Sequence, residues 1–175
     1  WGAVPAANGI REFLNAMKAA TGVPCRAING SVTGSTIAFL SDEGPTGGLG
    51  LYYAQMAAAG ITDADMCIFH QGEGNANTTP ATSESAYKTA VSDLHTKICA
   101  HFGRTKAQFP FVQAGLTTFG GSAGADTDAT WSTIRTAQFH AAQEQPNVYF
   151  SHSNMDGVRT DSYHLDAASQ GRAGK

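Results

Sequence analysis

Two periods of apolar residues run along this chain. Ile10, Phe13, Leu14 and Met17 recur at helical spacing and predict an amphipathic helix over residues 9–20, which Asn8 can cap and Gly22 can stop. Val23-Pro24-Cys25-Arg26-Ala27-Ile28-Asn29 then reads as a short strand. Residues 49–59 predict a second helix with Leu51, Tyr52 and Met56 as its apolar face. Ala64-Asp65-Met66-Cys67-Ile68-Phe69-His70 reads as a continuous apolar strand, the pattern of a sheet covered on both faces. The longest helix is predicted over residues 83–102, with Tyr87, Val91, Leu94 and Ile98 on one stripe. Residues 109–114 form the next predicted strand, residues 130–143 a helix, residues 147–150 a last strand, and a short helix starts at Asp166.

Four short strands alternating with longer helices predict an α/β domain with a parallel sheet and right-handed crossovers. No internal repeat or linker divides residues 1–175, so a single domain is expected.

Composition narrows the function classes. The chain has 175 residues, 42% of them hydrophobic, enough for one sizeable core. Charged residues make up 14%, the formal net charge is −3, and Lys and Arg form no cluster, which argues against a nucleic-acid partner. No apolar run approaches the roughly 20 residues of a membrane helix. Nothing before Leu14 resembles a secretory apolar segment, and a chain starting at Trp1 is expected to be processed, excised or a fragment. Cys25, Cys67 and Cys99 show no C-x-x-C spacing and allow at most one internal disulfide. Cys25 and Cys67 are expected as small apolar residues of buried strands.

In an open α/β sheet, ligands bind outside the carboxyl ends of the strands. The four loops there offer Asn29-Gly30-Ser31-Val32-Thr33-Gly34-Ser35-Thr36, then His70-Gln71-Gly72-Glu73-Gly74-Asn75, then Gln113 and Gly115, and finally Asp161 and His164. An Asp and a His three residues apart after a strand can be aimed into one cleft. The imidazole takes a proton from an alcohol while the carboxylate fixes its tautomer. Small backbone donors and a side-chain amide complete a set suited to acyl transfer.

Other groups have plainer readings. His95, His101 and His140 are expected to be solvated on helix faces, and His70 to pack at a strand end. A zinc site from His70, His152, His164 and Asp161 lacks a short-spaced ligand pair, so no metal or other cofactor is expected. Trp131 and the Tyr52/Tyr53 pair suit core packing better than stacking on a sugar. Gly120-Gly121-Ser122-Ala123-Gly124 lacks the Lys of a phosphate loop.

His70-Gln71-Gly72-Glu73-Gly74-Asn75-Ala76 resembles the W-x-Q-G-E-x-(D/N)-A block of the sialic-acid-specific acetylesterase-like carbohydrate esterases, within the SGNH (GDSL-like) hydrolase superfamily. Thr33-Gly34-Ser35-Thr36-Ile37 is similar to that family's G-G-T-S-I block, with Thr33 in place of the first Gly. Asp161-Ser162-Tyr163-His164-Leu165 resembles its closing D-G-x-H-(L/F) block, and Ile134-Arg135-Thr136-Ala137-Gln138 its R-x-A-Q. The blocks stand in family order across essentially the whole chain.

This resemblance implies a three-layer α/β/α fold with a mainly parallel, flavodoxin-like sheet, and hydrolysis of acetyl esters on sugars by a Ser-His-Asp mechanism. On matched positions His164 would be the base, Asp161 its orienter, Gly34 and Gln71 the oxyanion donors, and Glu73 a support that holds its loop through backbone N–H groups. The substrate implied is an acetylated carbohydrate. Esterases of this kind are commonly exported or carried on phage tails.

The family's serine-bearing G-Q-S-N block is absent from this sequence, and with it the first strand of the sheet. The nucleophile and that strand are therefore expected on a second chain or segment. Ser153, in Ser151-His152-Ser153-Asn154-Met155, is the internal candidate, but one segment would then present both nucleophile and base. The alternative is a catalytically inactive carbohydrate-binding or structural domain on the same scaffold.

Overall fold

A computed structural model of the chain describes residues 9–120, 128–153, 168, 169 and 172. Its helices are α1 (Gly9–Thr21), α2 (Ile37–Leu40), α3 (Gly48–Ala58), α4 (Glu73–Ala76), α5 (Glu84–His101) and α6 (Asp128–Glu144). Its strands are β1 (Cys67–His70), β2 (Phe111–Gly115) and β3 (Val148–Ser153). The capping role of Asn8 lies outside the described residues. Ala168 and Ser169 are helical, within the short helix expected from Asp166.

The strands are parallel and lie side by side in the order β1-β2-β3. Parallel neighbours need long crossovers, and α5 and α6 supply them. Ser83 caps α5 by accepting the Ala86 N–H at 3.3 Å. The stripe Tyr87, Val91, Leu94 and Ile98 is buried, as expected, and so are Trp131, Ile134, Ala137 and Ala141 of α6. Both helices pack together against the sheet face of Phe111 and Gln113. On the other face Ile68, Val112 and Tyr149 stand in register and are covered only in part, Tyr149 being 54% exposed. The architecture is α/β, a parallel sheet flanked by helices.

Several expectations change in three dimensions. Residues 23–29 form no strand, because a strand exists only through hydrogen bonds to a neighbour and no described residue supplies one. Pro24 also removes a donor, and Cys25 is exposed. Cys67 is partly covered on β1, Cys99 is buried on α5, and all three thiols are free; burial pushes the Cys67 thiol up to about 12. On α3 the inward residues are Leu49 and Met56, while Leu51 is 39% exposed. Tyr53 stacks on His101 with ring centroids 3.5 Å apart, on the helix face that positions 49 and 56 share. Trp131 is a core residue.

His95 is fully buried rather than solvated. Its Nε2 lies 2.7 Å from the Phe109 carbonyl, which can only accept, so Nε2 carries the proton of the neutral ring. Its Nδ1 has no hydrogen-bond partner. Burial, more than the opposing carbonyl bond, holds its pKa below the ordinary His value of about 6.5. The unfolded chain then takes up this proton more readily than the folded one. Stability from this site is complete above about pH 6.5 and falls as the pH drops below it. The thermal midpoint of wild type should therefore fall more steeply between about pH 7 and 5 than that of His95→Gln, which keeps a donor for Phe109 but does not titrate. Parallel curves would show that His95 does not contribute to the acid sensitivity.

Candidate active site

The loops at the carboxyl end of β1 and before α2 meet tightly. Gly34 has φ +69°, a left-handed conformation that glycine adopts without strain. The turn closes through Ser35, whose N–H and hydroxyl both reach the Val32 carbonyl. A Cβ on Gly74 would stand 2.4 Å from the Ser35 carbonyl oxygen and 3.0 Å from that of Gly34, so only glycine lets α4 approach this loop. Gly72 has φ +154° and leaves no space for a Cβ beside Ile134 and Leu116.

Gln71 is 5% exposed and tied at both ends of its side chain. Its Nε2 donates to the Ser35 carbonyl at 3.0 Å and to Asn75 Oδ1 at 2.8 Å. The direction of this chain of bonds is fixed by the backbone: the Ile37 N–H donates to the same Asn75 Oδ1 at 2.8 Å, so that atom is the carboxamide oxygen. Gln71 Oε1 then faces the Tyr87 hydroxyl at 3.0 Å. Both hydrogens of the Gln71 amide are engaged. Among the described residues the Gly34 N–H has no acceptor.

The R-x-A-Q motif lies on α6. Arg135 donates to the Thr117 carbonyl at 2.7 Å and approaches Asp128 at 3.4 Å, anchoring the loop after β2. Gln138, fully buried, accepts the Leu116 N–H at 3.0 Å and donates to the Gln71 carbonyl at 2.7 Å. Its own carbonyl accepts from Gln113 Nε2 at 3.3 Å. One side chain thus links the loop after β1 to the loop after β2.

Among the expected site residues, Gly34 and Gln71 are brought together through Ser35. The Glu73 carboxylate accepts no backbone N–H among the described residues and lies, half-buried, 4.0 Å from His70 Nε2. His70 itself is exposed. Ser153 ends β3 opposite Gly115, and its side chain lies outside the described residues, as do His164 and Asp161. Asn75, Tyr87 and Gln138 carry the network, a role that the motif and the apolar stripes do not indicate. A signal existed for one of them: Gln138 is an amide on the apolar stripe of Trp131, Ile134 and Ala141, where a polar group needs internal partners.

Residues 7–175 match the family model of the carbohydrate esterases described as sialic acid-specific acetylesterase. The chain belongs to this acetylesterase family. No curated protein sequence matches it. A solved Arabidopsis thaliana protein superposes with TM-score 0.73 at 16% identity, over 93% of this chain and 62% of its own. A carbohydrate acetylesterase from Xanthomonas citri does so with TM-score 0.67 at 21% identity, over 94% and 38%. The M. smegmatis aryl esterase gives TM-score 0.69 at 12% identity, over 98% and 82%. At these identities the likeness is one of fold. The acetylesterase-family chain spans less than two thirds of the first two proteins' lengths.

Gly74→Ala in this esterase-family chain must displace the Ser35 carbonyl, a backbone atom held from behind by Gln71. Its unfolding free energy should be lower by about 1–3 kcal/mol, the usual cost of an inserted methyl in a packed site. A denaturant midpoint equal to wild type would show that the loops part freely.

Proposed function

We propose that this chain carries most of the catalytic machinery of an acetylesterase that removes O-acetyl groups from sugars. A serine hydroxyl attacks the acetyl carbonyl as His164 takes its proton, and Asp161 holds the imidazole and offsets its charge. The Gly34 N–H, in the loop that the Gln71 amide holds, forms the donor side of the oxyanion pocket. One pre-aimed donor of this kind is typically worth about 3 kcal/mol of transition-state stabilisation. As the acetyl C–O bond breaks, His164 gives the proton to the departing sugar oxygen, which leaves as a free hydroxyl. It then activates water, which hydrolyses the acetyl-serine to acetate. Glu73 stands at the rim of this loop, facing His70.

The observation that carries this reading is the junction of Gly34–Ser35 with Gln71–Asn75 at the carboxyl end of β1. It leaves a backbone donor with no acceptor among the described residues beside a buried amide, in a chain of an esterase family.

The serine comes from a segment outside these 175 residues, which adds a strand beside β1. Cys67 N–H bonds Pro110, so by the alternation of a parallel ladder Ile68 and His70 direct their backbone groups to the opposite edge. No described strand pairs there. A strand-like segment at residues 23–29 is left without a ladder as well.

The test is acetate release from an O-acetylated sugar by the chain joined to its serine-bearing segment, compared with the chain alone. Release only by the joined protein supports the reading. Release by the chain alone that disappears in Ser153→Ala would place the nucleophile within it. Sugar binding without any release would favour the second reading, a binding domain on a hydrolase scaffold, for which the missing G-Q-S-N block is the supporting observation.

A further inference from the structure

Gln71 has two amide hydrogens, and both are engaged, by Ser35 O and by Asn75 Oδ1. Neither bond is easily exchanged. Asn75 is pinned by the Ile37 N–H and by its own donation to Thr82 Oγ1 at 3.1 Å. Reversal of the Gln71 amide would set its oxygen against two other acceptors and turn its nitrogen toward the Tyr87 hydroxyl. Tyr87 and Gln138 both donate to the Gln71 carbonyl, at 3.0 and 2.7 Å, so backbone and side chain are held together.

The Ser35 carbonyl is the group that needs control. A carbonyl oxygen pointing into an oxyanion pocket would repel the developing charge. Here it is drawn inward, against the Gln71 amide and over the bare Cα of Gly74. The preceding residue, Gly34, keeps an N–H that no described group accepts.

We propose that Gln71 is a positioning residue, which acts on the oxyanion by holding the Ser35 carbonyl inward so that the Gly34 N–H is the direct donor. The inference refines the reading above and rests on it for the reaction. It also explains why the glycine at 74 and the glutamine at 71 belong to one motif: they hold the same carbonyl from two sides.

Two measurements on the joined protein test it. The first is hydrogen exchange of residues 33–37 in Gln71→Met, which keeps the side chain's bulk but donates nothing. Exchange there should speed up at least roughly 10-fold more than in β2, since the loop is no longer tied. Unchanged exchange in this loop would overturn the proposal, whatever the activity. The second is a double-mutant cycle on acetate release with Gly74→Ala, which displaces the same carbonyl without removing the amide. Each single variant should lower kcat by roughly 10²-fold with KM unchanged, and the double variant should fall no further than either. If Gln71 donates directly to the oxyanion, Gly74→Ala will keep kcat or the two losses will multiply, and either result overturns it. If Gln71→Met does not fold, the exchange and kcat of Gly74→Ala decide alone: a loosened loop with lowered kcat supports the proposal, and a loosened loop with full kcat ends it. Absence of acetate release in the joined wild type would instead remove the esterase reading and leave the exchange result standing.

Discussion

His164→Ala is expected to lower acetate release by roughly 10⁴-fold or more, in kcat rather than KM, in the protein that includes the serine. A serine hydroxyl is a poor nucleophile at neutral pH and needs a base whose own ionisation lies near that pH, which among side chains means imidazole. Without it, only the oxyanion donor and substrate binding remain to accelerate the reaction. Asp161→Asn should be less complete, roughly 10³- to 10⁴-fold, because the ring stays but its tautomer and its charge are no longer supported. The measurement is acetate released from an O-acetylated sugar at saturating and limiting concentration. Activity within 10-fold of wild type in His164→Ala would remove the base assignment.

Gln138→Met should produce the largest loss of stability of any conservative change in the site. The substitution keeps length and bulk, so packing is nearly unchanged. The Leu116 N–H loses its acceptor inside a site from which water is excluded, and the Gln71 carbonyl loses one of its two donors. An orphaned buried donor costs about 1–3 kcal/mol and a lost bond about 1 kcal/mol more. The sum, about 2–4 kcal/mol, corresponds to a fall in Tm of roughly 4–16 °C for a chain of this size. Thermal unfolding by circular dichroism reads this directly. A shift under about 2 °C would mean that the two loops are held by something other than this amide.

The element pattern was legible because it depends on near neighbours. The stripes of α5 and α6 and the apolar runs of the three observed strands follow from side-chain periodicity, which local geometry enforces. The reading failed where a partner decides. Residues 23–29 have strand composition but no strand beside them. His95 sits at a helical position that looks exposed, yet Phe109 and Phe111 close over it. Leu51 has a core composition, but α3 packs through Leu49 and Met56, which leaves position 51 on the outer side.

The site divides the same way. The residues of the Gln71-to-Asn75 block were recognisable as a set, since a motif is a statement about sequence order. That Gln71 and Asn75 spend their amides on each other, on Ser35 and on Ile37 was not recognisable. Ser35 and Ile37 lie some 36 to 38 positions away in the chain.

By itself, then, the order of residues determined the alternation of helices and strands and the family, and it named candidates for acyl-transfer chemistry. Only the tertiary structure decided which carbonyl each amide holds, which strand edge stands open, and which histidine is dry. A hydrogen bond between loops depends on where packing brings their backbones, and no local pattern encodes that distance.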